Sequence, residues 1–255
     1  MSSIRTMGAL VAVEGKKLYR DIMNLIVMIL MPVGLTLIIY LALGNVANDY
    51  YPPGVESHFE FLLPGLMGYS IIYMGMMVAL GLVDYREAGL LKRIQATPVS
   101  PVAYLGSQII AYAVIAVVQA FIVLLVARLL GFVPQGGLLG LLLAIPSLAL
   151  LGITAVGLGL ITATVAKNSG AAGGLAVIYI LPMMMFGAWL AVFNEATLTI
   201  ARFMPNHYVT DTLYLIFHTG NLSDPGIWQN FLILAGITLV VTGIGILLFK
   251  RTEFG

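Results

Sequence analysis

The chain has no cysteine at all. Disulfide staples and thiolate metal sites are therefore excluded, and redox chemistry at sulfur has only methionine to work on. Charge is almost as scarce: 9% of the 255 residues are Asp, Glu, Lys or Arg. A soluble domain carries about 25% charged residues. With so few, a water-facing surface would lack polar cover, and lipid is the alternative solvent. The formal net charge is +1, which offers no electrostatic footing for nucleic acid. The start of the sequence is not expected to be a secretory signal. The opening MSSIRTMGALVAVEGKKLYRD has no apolar core ahead of a small-residue cleavage site, so the first apolar block is expected to stay in the mature protein.

What is abundant is hydrophobic sequence, 60% of the chain. A transmembrane helix needs about 20 mostly apolar residues to cross a core of roughly 30 Å. Six blocks qualify: 22–44, 61–83, 102–130, 138–165, 171–193 and 227–249. Only the third holds a charge, Arg128, near its end. The blocks are continuous and too long for barrel strands, which alternate over about 10 residues. Lipid offers no partner to backbone groups, so each block must be helical. The fold class expected is all-α, a polytopic membrane protein with one transmembrane domain over 22–249. Prolines (Pro32, Pro146, Pro182) and many glycines lie inside the blocks, as membrane helices tolerate. Gly136/Gly140, Ala116/Ala120 and Gly170/Gly174 have the small-xxx-small spacing that lets helices approach closely.

Lys and Arg in the short flanks set orientation. Arg5, Lys16, Lys17, Arg20, Arg86, Lys92, Arg93, Lys167, Lys250 and Arg251 fall on one side, which is ten of the twelve basic residues. The other side has Arg202, with Arg128 near it, and the acids Asp49, Glu56, Glu60, Glu195, Asp211 and Asp224. The basic side is expected in the cytoplasm of a cell-membrane protein, with both termini inside and 250–255 as a tail. In segment 1–21, Leu10, Val13, Lys17 and Arg20 recur at near-helical spacing. That predicts a short helix lying in the membrane interface.

The most informative stretch outside the spans is Asp84 to Pro98, DYREAGLLKRIQATP, on the basic side. Glu87, Leu90, Leu91 and Ile94 have i, i+3, i+4, i+7 spacing, which predicts a short helix with an apolar stripe and Glu87 at its start. Lys92 and Arg93 suit its last turn, and Pro98 forces a stop. An exposed apolar stripe at a membrane surface wants a docking partner.

The run Glu87-x-Gly89-x-Leu91-x-x-Ile94-x-x-Thr97-Pro98 resembles the cytoplasmic signature of type-2 ABC transporter permeases, in which Glu-x-Gly-Thr-Leu-Glu-x-Leu-x-x-Thr-Pro is similar to the consensus. Leu90 stands where threonine is frequent, and Lys92 where an acid is frequent. Length, six spans and inside termini match as well. The resemblance implies that Glu87, Gly89, Leu90, Leu91, Ile94, Thr97 and Pro98 form a coupling helix. That helix fits a cleft on a nucleotide-binding ATPase subunit, present in two copies. A second permease copy or a homologue completes the complex, and membrane lipid surrounds it. ATP and magnesium sit on the ATPase subunits. This chain is expected to bind no cofactor and to be no enzyme, and it lacks the Gly-x-x-x-x-Gly-Lys-Ser/Thr loop that cradles phosphates. The implied function is ATP-driven export of an amphipathic or hydrophobic substrate such as a drug, a lipid or a lipid-linked molecule. Glycan export, or secondary transport without ATP, are the alternatives.

The largest outer connection, 194–226, contains FMPNHYVTDTL, which resembles the Pro-x-x-Tyr segment ahead of the last span in the same family. There it forms short re-entrant helices. Pro205, Tyr208 and Asp211 are the candidates for an outer gate, with a simple lid as the other reading. Arg128 is expected to snorkel to the outer interface. Three histidines, His58, His207 and His218, are too few and too scattered to suggest a zinc site. A rhomboid-type protease would need glycine at position 167, which is lysine.

Overall fold

The computed structural model describes residues 3–20, 22–44, 55–97, 99–189 and 195–253. Pro98 and Asp49 lie outside the described residues, as do 190–193, the end of the fifth apolar block. The described residues form helices and turns, with no strand among them.

Six helices are long and apolar enough to span a membrane: α2 (Ile22–Leu43), α3 (His58–Glu87), α5 (Pro101–Leu129), α6 (Gly137–Val165), α7 (Ser169–Met184) with the turn that continues it to Gly187, and α10 (Pro225–Glu253). They match the six apolar blocks. Two run longer than hydropathy predicts, because capping and polar end residues carry a helix past its apolar stretch. The hydroxyl of Ser57 accepts from the Glu60 N–H at 3.3 Å, and the Glu60 carboxylate accepts from the Glu56 N–H at 2.8 Å. These bonds start α3 ahead of the apolar run. At its other end α3 continues through Asp84 to Glu87. The helix α10 likewise keeps its period through Lys250 and Arg251. Short helices complete the chain: α1 (Ser3–Arg20), α4 (Leu90–Gln95), α8 (Glu195–Ala201) and α9 (Pro205–Tyr214). The N-terminal helix expected from spacing is present. It rests on α5, with Glu14 8% exposed beside Tyr104, while Val13 points outward.

The central element is α3, which packs against α2, α5, α6, α7 and α9. The helix α6 runs beside it and touches α5 and α10 as well. Lipid tails are as apolar as leucine, so burial alone gives these helices little reason to associate. Close packing and polar contacts must supply it. Along α6 the glycines serve three neighbours. A Cβ on Gly152 would lie 2.7 Å from Cβ of Ala116 on α5. One on Gly159 would lie 2.6 Å from the Gly75 carbonyl of α3, and one on Gly157 would lie 2.8 Å from Cα of Thr242 on α10. Threonines then fasten α6 to α10. The hydroxyls of Thr154 and Thr238 are 2.8 Å apart, and Thr242 donates to the Ile153 carbonyl at 3.2 Å. Of the three small-residue pairs, Ala116/Ala120 and Gly136/Gly140 pack inside the chain, while Gly174 meets nothing within 4 Å.

Two apolar clusters stack along the bundle. One fills the middle and the end distant from α4, around Leu63, Met67, Ile71, Leu148 and Phe217. The other lies at the α4 end, around Val78, Leu82, Leu105, Leu160 and Phe249.

Gly157→Val is expected to lower the thermal midpoint of the detergent-purified protein by several degrees, because Thr242 backbone must move. Gly243→Ala, at a position open on all sides, should leave it within about a degree of wild type. Equal midpoints for the two variants would show that the α6–α10 approach does not hold the bundle together.

Candidate functional site

The segment between α3 and α5 is built around one backbone turn. Gly89 adopts φ +68, ψ 12, the left-handed region that glycine enters without a Cβ clash. It ends α3 and opens α4. Glu87 is therefore the last residue of α3 rather than the first of the short helix, a correction to the spacing argument: a stripe counted across Gly89 assumes an unbroken helix. The turn also reorients the apolar face. Leu91 is 2% exposed and Ile94 packs against the same inner cluster. Both anchor α4 to the bundle, so the predicted exposed stripe is turned inward. Burying a leucine side chain is worth roughly 1.5–3 kcal/mol. What remains outside is Glu87, Leu90 (37% exposed), Lys92, Arg93, Ala96 and Thr97. The Thr97 hydroxyl donates to the Ile94 carbonyl at 2.6 Å and closes the helix end. Ser100 accepts from the Ala103 N–H at 3.2 Å, with Pro101 at the first position of α5.

Beside this surface is a cluster that spacing did not reveal. The guanidinium of Arg86 donates through one nitrogen to the Ala163 carbonyl at 3.0 Å and to Glu253 at 2.9 Å, and through the other to the Ala166 carbonyl. The two carbonyls belong to the last turn of α6 and its cap, where acceptors lack intrahelical partners and the dipole favours a cation. Glu253 is at the end of α10. The Ser169 hydroxyl, at the start of α7, donates to the carboxylate of Asp84. Arg86 and Asp84, neighbours within α3, thus tie that helix to α6, α10 and α7 immediately before the Gly89 turn. In the sequence Arg86 counted only as one more basic flank residue. Its partners lie 77 and 167 positions away, beyond any local pattern.

At the opposite end, α8 and α9 form a helix–turn–helix that returns into the bundle. Pro205 opens α9 and is buried with Asn206, Val209, Thr212 and Leu213. The Tyr208 hydroxyl donates to the Arg202 carbonyl at 2.6 Å across the turn. Asp211 accepts from the Asn230 amide at 2.7 Å, which pins α9 to α10. The three predicted residues therefore serve three different contacts. A fully buried polar residue here is one that the motif did not single out. Asn206, fully buried, donates to the Met183 carbonyl at 2.8 Å, where α7 passes into a π-helical turn (Met185–Trp189). Its side chain lies where a Cβ on Gly187 would stand, so Gly187 admits no larger residue unless Asn206 moves. His207 is held below the ordinary histidine range, chiefly by burial; Asp211 pulls it up and Arg202 pushes it down. Among the described residues no group of three or more His, Cys, Asp or Glu converges as metal ligands would.

The short helix α4 lies where the signature run predicted one, between the second and third spans, and the paired helices α8 and α9 precede the last span as the second motif implied. No curated protein is similar to the chain in sequence. Residues 47–247 match the family described as ABC-2 family transporter protein. That stretch takes in five of the six spans, α4 and the α8–α9 pair. The chain belongs to the ABC-2 transporter family and is a multi-pass membrane component of a transport system.

Proposed function

We propose that the chain is the permease half of an ATP-driven exporter in the cell membrane. It works as a pair of permeases with two ATPase subunits, and both termini and α4 face the cytoplasm. The observation that carries this reading is the division of labour on α4. Leu91 and Ile94 fix it to the bundle, while Glu87, Leu90 and Arg93 are left outward for a separate chain to grip. ATP-driven movement of such a subunit would push on a short lever, and Arg86 would pass the displacement to the ends of α6 and α10. Those helices run back to the far end, where α9 hangs from Met183 and Asn230 by the Asn206 and Asp211 contacts. A shift of α7 or α10 would therefore tilt α9. On this reading Pro205, Tyr208 and Asp211 belong to the outer gate. The transported substrate is amphipathic or hydrophobic. What supports that class is the scarcity of charge in the spans, where a strongly polar molecule would meet few compensating groups.

Two sets of variants separate gripping from transmission. Leu90 is exposed, so Leu90→Asp should leave the thermal midpoint unchanged while reducing co-purification of the ATPase subunit and ATP-dependent transport by at least about tenfold, since a carboxylate desolvated at the contact would lack a partner. Unaltered assembly and transport for Leu90→Asp would refute α4 as the coupling surface. Arg86→Ala should instead cost about 1–3 kcal/mol of stability through loss of charge-assisted hydrogen bonds. Arg86→Lys should recover little of that loss, because an ammonium does not reproduce the planar fork. In the Arg86 variants ATP hydrolysis should persist with transport lost. Substrate movement in liposomes holding this chain alone would favour secondary transport over ATP-driven export.

A further inference from the structure

We propose that the groove between the ends of α5 and α6 distant from α4 is a binding site for an anionic membrane phospholipid, with Arg128 holding the phosphate and the groove floor holding an acyl chain. The groove has a cavity volume of about 580 Å³, within the range of about 300–1,000 Å³ typical of sites for small amphiphiles. On α5 it is lined by Phe121 and Leu125 below Arg128; on the α6 side it is lined by Pro134, Leu138 and Leu141. Residues 121, 125 and 128 lie at i, i+4, i+7 along one face of α5, and Leu138 and Leu141, three apart on α6, stand on the other side with Pro134 of the connecting loop. Seven residues of helix give the trough a length of about 10 Å running from Arg128 toward the middle of the bundle. One charged group therefore caps an otherwise apolar trough, which is the outline of a lipid with its phosphate at the rim.

The guanidinium is available for such a ligand. Among the described residues its hydrogen bond is a long one, 3.4 Å to the Phe132 carbonyl in its own connecting loop, and a guanidinium has five N–H donors. No carboxylate among the described residues lines the groove. The first turn of α6 opens at the same rim with no side-chain cap on Gly136, so its partial positive charge adds to that of Arg128. Snorkelling explains how arginine reaches the interface, but not why a trough of this volume lies beneath it. A free phosphate ion would gain nothing from the apolar walls. Among the described residues the lining offers no acid to pair with the Arg128 of a second copy docked here. The groove walls are otherwise outward-facing: Leu125 is 58% and Leu138 74% exposed, as suits a face turned to lipid. The site is independent of which substrate the protein moves.

The test uses the full chain purified in detergent and titrated with dioleoyl phosphatidylglycerol, with bound lipid counted by native mass spectrometry. Wild type should retain one phosphatidylglycerol more tightly than any further adduct. Arg128→Gln should weaken that first site by about tenfold or more, as loss of a charge-assisted contact predicts. Arg128→Lys should lie between the two. Dioleoylglycerol, which has the same chains without phosphate, should not occupy the site at comparable concentration. Equal binding by Arg128→Gln and wild type would overturn the proposal, as would equal affinity for the two lipids. The thermal midpoint of Arg128→Gln without lipid controls for folding; if that variant cannot be purified, the comparison of the two lipids on wild type decides. Because the chain has no cysteine, Leu138→Cys introduces a single thiol. Its ready oxidation to a disulfide-linked dimer in membranes would assign the groove to a second copy and also refute the lipid site.

Discussion

The backbone of α6 lies against the backbones of three other helices, and the remaining architecture depends on that closeness. In water a helix bundle is held by removing leucine from solvent. In lipid that gain is spent as soon as each helix inserts, and association must come from contacts that hydrocarbon tails cannot reproduce. Gly152, Gly157 and Gly159 remove side-chain bulk where α5, α10 and α3 each approach one helix. Dispersion contacts then form atom to atom, and the threonine hydroxyls of α6 and α10 come within bonding distance. With α6 seated, α3 is enclosed, and α3 carries the segment that leads to α4.

Polar residues do a second job at the two ends. The Arg86 fork at one end and Asn206 at the other both satisfy carbonyls where helix geometry leaves acceptors short of partners. Each joins elements distant in the chain. A buried amide or a half-buried guanidinium is costly without partners, so each arrangement holds as a unit or not at all. That property suits parts that must transmit displacement without softening.

Much of this was readable in advance. Hydropathy located all six spans because the bilayer imposes a length and an apolar content on any segment that crosses it. The motif around Glu87 to Thr97 located α4 for a different reason: glycine, a helix former and a stop residue at fixed spacing are needed to turn the chain twice in a short distance. The burial of Leu91 was not readable. Its direction depends on the sign of φ at Gly89, and a periodicity count assumes an unbroken helix across that point. Nor was the role of Arg86 readable, since Ala163, Ala166 and Glu253 come beside it only once α6 and α10 are placed. Asn206 stood one position from Pro205 in a recognised motif, yet nothing local marks it as the residue that reaches α7.

The sequence by itself determined the solvent, the number of crossings and the position of the short helix between the second and third spans, because each follows from a period, a length or a local turn. Only the tertiary structure decided which way that helix faces, what Arg86 holds and how a trough forms beneath Arg128. Those depend on which carbonyls and side chains meet across long separations, and in a chain where most residues are apolar the sequence pattern carries little record of such pairings.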